Sequence, residues 1–178
     1  MAQVCLLTGK PGAGKTTLIR KVVAGAKVNA GGFYTEEIRC GGLRQGFKII
    51  TLNGQKSVLS HINISSSFKV GKYGVDIANL ERVGVAAIEQ AIRDSDLIII
   101  DEIGKMELFS QMFRQAVLTA INSGKKVLGT ILLSPHPFVD SIKNNPEVRI
   151  VKVNRENHNS VLEQLVCWLH PITDENNS

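Results

Sequence analysis

The chain has 178 residues, a formal net charge of +5 at pH 7, 43% hydrophobic residues and 21% charged residues. This length suits one compact domain, the composition excludes a disordered chain, and no apolar run approaches the ~20 residues of a membrane-spanning helix. The basic residues are scattered and only 5% of residues are aromatic, which disfavours nucleic-acid binding without excluding it. Since the N-terminus also lacks the pattern of a secretory signal, we expect a cytoplasmic protein without membrane contact. We also expect a monomer.

The first predicted elements are a strand, a glycine-rich loop and a helix. Residues 4–8 form a short apolar run, and residues 16–26 have apolar positions at helical spacing. Residues 31–60 contain three strand-like pieces, and the tight turn expected at Asn53-Gly54 predicts that the last two form a hairpin. Residues 61–75 have no clear period and include three consecutive serines, so we predict a loop there.

Helices and strands alternate in the second half of the chain. Asp76 is predicted to cap a helix that runs to about residue 94, and Ser110 to cap one that runs to residue 122. Asn154 is predicted to open the last helix. Apolar runs predict further strands over residues 97–101, 127–133 and 148–153.

This alternation is typical of an α/β protein in which helices cover both faces of a mostly parallel sheet. We expect a single domain over residues 1–170, followed by a polar C-terminal tail over residues 171–178. The three cysteines are too widely spaced to predict a disulfide or a zinc site. Cys5 and Cys167 occupy apolar positions of a strand and a helix, and we predict that both are buried.

The strongest motif lies between the first strand and the first helix. Residues 9–16 read GKPGAGKT, which matches the phosphate-binding loop GxxxxGK[ST] in the strand and helix context that it requires. Its glycines allow a tight turn that points backbone N–H groups at phosphate oxygens. Lys15 adds a cation for the β- and γ-phosphates, and the Thr16 hydroxyl is a suitable ligand for Mg²⁺. The nucleotide-binding residues predicted here are Gly9, Lys10, Pro11, Gly12, Ala13, Gly14, Lys15, Thr16 and Thr17.

A second motif follows the apolar strand at residues 97–100, which ends in Asp101 and Glu102. Because the carboxyl ends of parallel strands face the ligand crevice, this pair is typical of a Walker B motif. We predict that Asp101 orients the Mg²⁺ and that Glu102 polarises the attacking water. The alternative is that Asp101 and Glu102 have no catalytic role and only end the strand before a solvated loop.

The glutamate next to the Walker B aspartate also predicts the topology. Enzymes that use it usually insert another strand between the two Walker strands, which makes the sheet RecA-like. The expected spatial order is 148–153, 4–8, 127–133, 97–101 and 32–38. Thr130 would then lie near the γ-phosphate, either as a polar sensor or as an ordinary strand residue.

Longer stretches of the chain resemble one known family. They are DEIGKMEL at 101–108, GFYTEEIR at 32–39, Gly46-Phe47 and YGVD at 73–76. These resemble the small nucleoside-triphosphatases of thermophilic bacteria and archaea, whose vertebrate members are called cancer-related nucleoside triphosphatases. The resemblance covers residues 3 to about 169.

This resemblance implies a three-layer P-loop NTPase fold with a small antiparallel insertion. It also implies slow, magnesium-dependent hydrolysis of ATP, GTP, CTP, UTP and TTP to the diphosphate and phosphate. Its nucleotide contacts would fall on the phosphate-binding loop and on a second segment. In this chain that segment is Ile98, Ile99, Ile100, Asp101, Glu102, Ile103, Gly104 and Lys105.

Some residues and two other functions stay open at this stage. Lys105 could reach back to a phosphate oxygen and assist catalysis, or it could be a solvated surface lysine. Asn154 and Arg155 could contact the base or ribose, and Arg39 is a further candidate. The same cradle would also suit a kinase that transfers the γ-phosphate to an unknown acceptor, or a binding module switched by nucleotide.

Overall fold

The computed structural model describes residues 2–170, and all strands in this part of the chain belong to one nine-stranded sheet. Its order is β5-β6-β4-β3-β2-β7-β8-β1-β9. The strands are β1 (Val4–Thr8), β2 (Ala30–Cys40), β3 (Leu43–Thr51), β4 (Lys56–His61), β5 (Lys69–Val70), β6 (Tyr73–Val75), β7 (Leu97–Ile103), β8 (Lys126–Ile131) and β9 (Val148–Lys152).

The helices pack on both faces of this sheet. They are α1 (Lys15–Gly25), α2 (Ile77–Asn79), α3 (Ala86–Asp94), α4 (Gln111–Ile121), α5 (Pro137–Lys143) and α6 (His158–Leu169), with a π-helical turn at Leu80–Val85 and a 3₁₀ turn at Glu107–Phe109. Within residues 2–170, none of the helices has the length and apolarity that crossing a membrane requires.

The two faces of the sheet carry separate apolar cores, which makes the fold three-layered. Along β7, Ile98 and Ile100 join a core with the helices that follow the inserted strands. Leu97 and Ile99, which point the other way, join a core with α1 and α6. A strand buried on both faces needs a continuous apolar sequence, and this explains the unbroken run in β7.

The predicted order of the five parallel strands is confirmed. β1 pairs in parallel with both β8 and β9, β8 pairs with β7, and β7 pairs with β2. β8 therefore lies between the strands that carry the two Walker motifs. The small antiparallel insertion is β3 to β6, which extends the sheet from β2.

The second half of β2 projects beyond the parallel sheet. Pairing with β7 ends at Phe33 and Ile100, but β2 continues to Cys40 while it remains paired with β3. Arg20 of α1 holds this projection through a 3.3 Å ion pair with Glu36 and lies 5.0 Å from the centre of the Tyr34 ring. The projecting hairpin thus lies beside the helix that follows the phosphate-binding loop.

Three sequence predictions need correction. Residues 61–75 are not simply a loop, because β5 and β6 lie within them, and strands of two and three residues are too short to show a period. The last helix begins at His158, after Asn157, rather than at Asn154, whose side chain instead accepts hydrogen bonds from the N–H groups of Glu156 and Asn157. Cys5 is buried as predicted, but Cys167 lies on the exposed side of α6.

Candidate functional site

The phosphate-binding loop connects β1 to α1 and is closed on itself. Gly14 has φ of 84°, in the left-handed region that favours glycine, and α1 begins at the next residue. The Nζ atom of Lys15 donates hydrogen bonds to the carbonyl oxygens of Gly9 and Lys10, at 2.9 and 3.0 Å. The Lys15 side chain is therefore folded back across the loop.

His158 contacts this loop and was not singled out by the sequence. Its imidazole Nε2 is a hydrogen-bond partner of the Ala13 carbonyl oxygen. A Cβ atom on Gly14 would lie 2.3 Å from His158 Cε1, so the imidazole occupies the space beside the glycine. No local pattern marks this residue, because it lies 145 positions away from its partner.

Asp101 is buried at the end of β7. One of its carboxylate oxygens, Oδ1, accepts a 2.7 Å hydrogen bond from the Thr130 hydroxyl of β8. The other, Oδ2, is buried and has no hydrogen-bond partner among residues 2–170. The Thr16 hydroxyl also lies close to the Asp101 carboxyl group. A buried carboxylate oxygen without a partner, beside a hydroxyl, is the donor set that a hard cation such as Mg²⁺ takes.

Three carboxyl groups cluster at this end of β7. Burial raises the pKa of Asp101, and burial together with the nearby Asp101 raises that of Glu102. Glu107 is only 4% exposed, and burial followed by repulsion from Glu102 holds its pKa well above the usual value. A Cβ atom built on Gly104 would lie 2.6 Å from Glu102 Oε1 and 3.0 Å from Glu107 Oε2, so the glycine leaves room for both carboxyls.

Replacing Glu107 with Gln should flatten the pH dependence of stability. Because its pKa is raised in the folded protein, its contribution to the free energy of unfolding is complete below its usual value of 4.5 and is lost as pH rises through the folded pKa. Gln cannot ionise, so the stability of Glu107→Gln relative to wild type should increase with pH. Urea unfolding of both proteins from about pH 4.5 to pH 8 in EDTA measures this; parallel pH profiles would contradict it.

The phosphate-binding loop and the end of β7 open into one cavity of about 580 Å³. It brings together ten of the residues predicted from sequence, which are Gly9, Pro11, Gly12, Gly14, Lys15, Thr16, Thr17, Asp101, Glu102 and Lys105. Lys105 is exposed at its edge. Glu107 lines the same cavity, although the sequence did not single it out.

The remaining predicted residues do not line this cavity. They are Lys10, Ala13, Arg39, Ile98, Ile99, Ile100, Ile103, Gly104, Thr130, Asn154 and Arg155. The four isoleucines are fully buried, so their side chains support the site from inside β7. Asn154 and Arg155 are exposed in the turn between β9 and α6.

The projecting hairpin supplies the other wall of the cavity. Arg44 on β3 donates hydrogen bonds to the Tyr73 hydroxyl at 3.0 Å and to Glu37 Oε1 at 3.1 Å. Its guanidinium carbon lies 5.1 Å from the centre of the Phe47 ring and 5.4 Å from that of Tyr73. Sequence reasoning missed this wall because it depends on β2 continuing past its last pair with β7.

A RecA-like sheet with a phosphate-binding loop after β1 and a buried aspartate at the end of β7 defines a P-loop NTPase. The model of the NTPase family matches residues 4–166, and the chain belongs to that family. The chain is 50% identical to the nucleoside-triphosphatase THEP1 of Thermotoga sp. (strain RQ2), over 92% of this chain and 94% of that protein.

A human relative and a solved structure show the same similarity. The chain is 40% identical to the human cancer-related nucleoside-triphosphatase, over 93% of this chain and 96% of that protein. The crystal structure of THEP1 from Aquifex aeolicus superposes with a TM-score of 0.85 at 38% identity, covering 94% of this chain and 98% of that one.

Proposed function

We propose that this protein is a magnesium-dependent nucleoside triphosphatase that hydrolyses ATP, GTP and other nucleoside triphosphates to the diphosphate and phosphate. The observation that carries the proposal is the single cavity into which the phosphate-binding loop and both Walker B carboxyls open. The names of the relatives support the same activity. We keep the sequence-based expectation that the protein is a cytoplasmic monomer.

The polar residues of the two Walker motifs and their neighbours have distinct roles in the proposal. The loop N–H groups and Lys15 bind the phosphates, and Lys105 at the edge adds a cation where negative charge develops in the transition state. Glu102 accepts a proton as the water oxygen attacks the γ-phosphorus, and its raised pKa suits a base that must hold that proton. Thr130 positions Asp101 through its hydrogen bond.

Thr16 and Asp101 are the residues that would hold Mg²⁺. Asp101 Oδ2 is buried and has no hydrogen-bond partner in the described part of the chain, so this oxygen is available as a metal ligand. The bound ion would neutralise phosphate charge and favour departure of the diphosphate. Broad base use follows if binding rests on the phosphates, because backbone N–H groups of the loop read phosphate and not base.

Phosphate release from ATP, GTP, CTP and UTP, with Mg²⁺ and with EDTA, tests this function. We expect release with all four nucleotides and none in EDTA. Thr16→Ala should need more Mg²⁺ for half-maximal rate, since it loses one ligand of the ion, and excess Mg²⁺ should restore part of the activity. Release that begins only after an acceptor is added would favour a kinase, and tight nucleotide binding without release would favour a switch module.

A further inference from the structure

The cavity extends past the two Walker motifs. It measures about 580 Å³, within the range of small-molecule sites, and this volume includes the space that the phosphates and the attacking group would share. The phosphate-binding loop occupies one side of it, and Asp101 and Glu102 mark the side where the γ-phosphate would lie. Beyond them the cavity continues toward the projecting hairpin, which belongs to neither Walker motif.

The walls of this further part combine apolar side chains with the polar residues Thr35, Glu36, Glu37 and Ser134. We define the acceptor compartment by its lining residues Arg44, Phe47, Leu59, Val70, Met106 and Leu133. Leu59 is buried, Phe47, Val70 and Met106 are half-buried, and Leu133 is 44% exposed at the rim. Apolar side chains do not assist a phosphate or a water molecule, but they are typical of pockets that take an organic ligand.

Arg44 is the polar residue of the acceptor compartment, and its guanidinium is held in place by its neighbours. Arg44 is fixed by its hydrogen bonds to Tyr73 and Glu37 and by the two aromatic rings beside it. Those bonds use two of the five N–H donors of a guanidinium, so others can serve a ligand. At the opposite end the compartment meets the carboxyls of Asp101, Glu102 and Glu107. Mg²⁺ and Lys15 would compensate the charge of the γ-phosphate at this end, whereas a second anionic ligand would be repelled by these carboxyls and by the phosphate itself.

We infer that the acceptor compartment binds a small neutral alcohol with an apolar ring, and that this alcohol can receive the γ-phosphoryl group in place of water. The inference rests on the proposed function, because it uses the same bound triphosphate. The ring would lie against Phe47 and Leu59, and the hydroxyl would point toward Glu102.

The transfer is balanced without any further reagent. The alcohol oxygen forms a bond to the γ-phosphorus while the bond from that phosphorus to the β,γ-bridging oxygen breaks. The nucleoside diphosphate leaves with the bonding electron pair, and the hydroxyl proton passes to the Glu102 carboxylate and then to solvent. The products are an alkyl phosphate and the diphosphate, with no change in oxidation state.

Competition between nucleophiles tests this inference without knowledge of the natural acceptor. Wild-type enzyme would be given Mg²⁺ and ATP labelled at the γ-phosphate, with benzyl alcohol or with methanol, and the ADP, inorganic phosphate and alkyl phosphate would be measured. Methanol is too small to use the apolar walls. Per mole of alcohol, benzyl alcohol should therefore divert about tenfold or more phosphoryl than methanol, because its ring gains apolar burial.

Two matched tryptophan variants locate the effect. Leu133→Trp places an indole in the compartment, whereas Leu43 is 70% exposed and does not line the cavity. We expect Leu133→Trp, but not Leu43→Trp, to lower the ratio of benzyl phosphate to inorganic phosphate to that given by methanol at equal concentration.

ADP formation with equal diversion by both alcohols in wild type, or with the same ratio in both variants, would overturn this inference and leave the proposed function intact. Absence of ADP formation by wild type would overturn both.

Discussion

Glu102→Gln is expected to remove most of the turnover while nucleotide affinity stays within a few-fold of wild type. Gln fills nearly the same volume at the end of β7 but cannot accept the proton of the attacking water. Loss of a positioned base costs about 10² to 10⁴ in rate. Asp101 and the phosphate-binding loop remain in place, so the ground-state contacts of the nucleotide are kept.

Two measurements separate these effects. Titration with a non-hydrolysable ATP analogue gives the affinity, and phosphate release at saturating Mg²⁺ gives kcat. Glu89→Gln is a matched control, since Glu89 is an exposed carboxylate on α3 that does not line the cavity. Near-normal kcat in Glu102→Gln would show that the base lies elsewhere, and Glu107 would be the next carboxyl to test.

Lys15→Ala should lower both affinity and turnover, with kcat/KM reduced by about 10² or more. The ammonium of Lys15 would contact phosphate oxygens in the ground state and in the transition state, unlike the Glu102 carboxylate. The substitution also removes the two hydrogen bonds that close the loop, so the N–H groups of the cradle become less ordered. This second loss adds to the reduction in affinity.

The same pair of assays distinguishes Lys15→Ala from Glu102→Gln by the change in affinity. Lys21→Ala provides the control, because Lys21 is an exposed lysine nearly two turns further along α1. If Lys15→Ala bound the analogue and released phosphate as the control does, the phosphate-binding role of residues 9–16 would be wrong.

The parallel half of the fold could be read from the sequence because each element has a strong local signal. Residues 97–100 of β7 are all apolar and are followed by two acids. The phosphate-binding motif directly follows β1, so it identifies β1 as the strand that carries the loop. The position of β8 between the Walker strands followed from Glu102 alone. The projecting end of β2 could not be predicted, because its length depends on pairing with β3 after the pairing with β7 has ended.

The candidate site residues could be predicted where they are adjacent in the sequence and form a motif. Residues 9–16 and the pair Asp101 and Glu102 are such cases. Glu107 could not be predicted in this way, although it belongs to the stretch that carried the family resemblance. Its burial beside Glu102 depends on the 3₁₀ turn, which places its carboxyl next to Gly104. His158 and Arg44 reach the site from distant positions, and only tertiary packing brings them there.

The pairing of β1 sets an order of events during synthesis. Among residues 2–170, β1 is the first strand to be synthesised, but its two hydrogen-bonded neighbours, β8 and β9, are the last two. Until residue 131 has emerged, the strand that holds the phosphate-binding loop lacks both of its partners, and until residue 152 has emerged it lacks one of them. A nascent chain therefore completes the pairing around its nucleotide cradle only after the strands β2 to β7 have been synthesised.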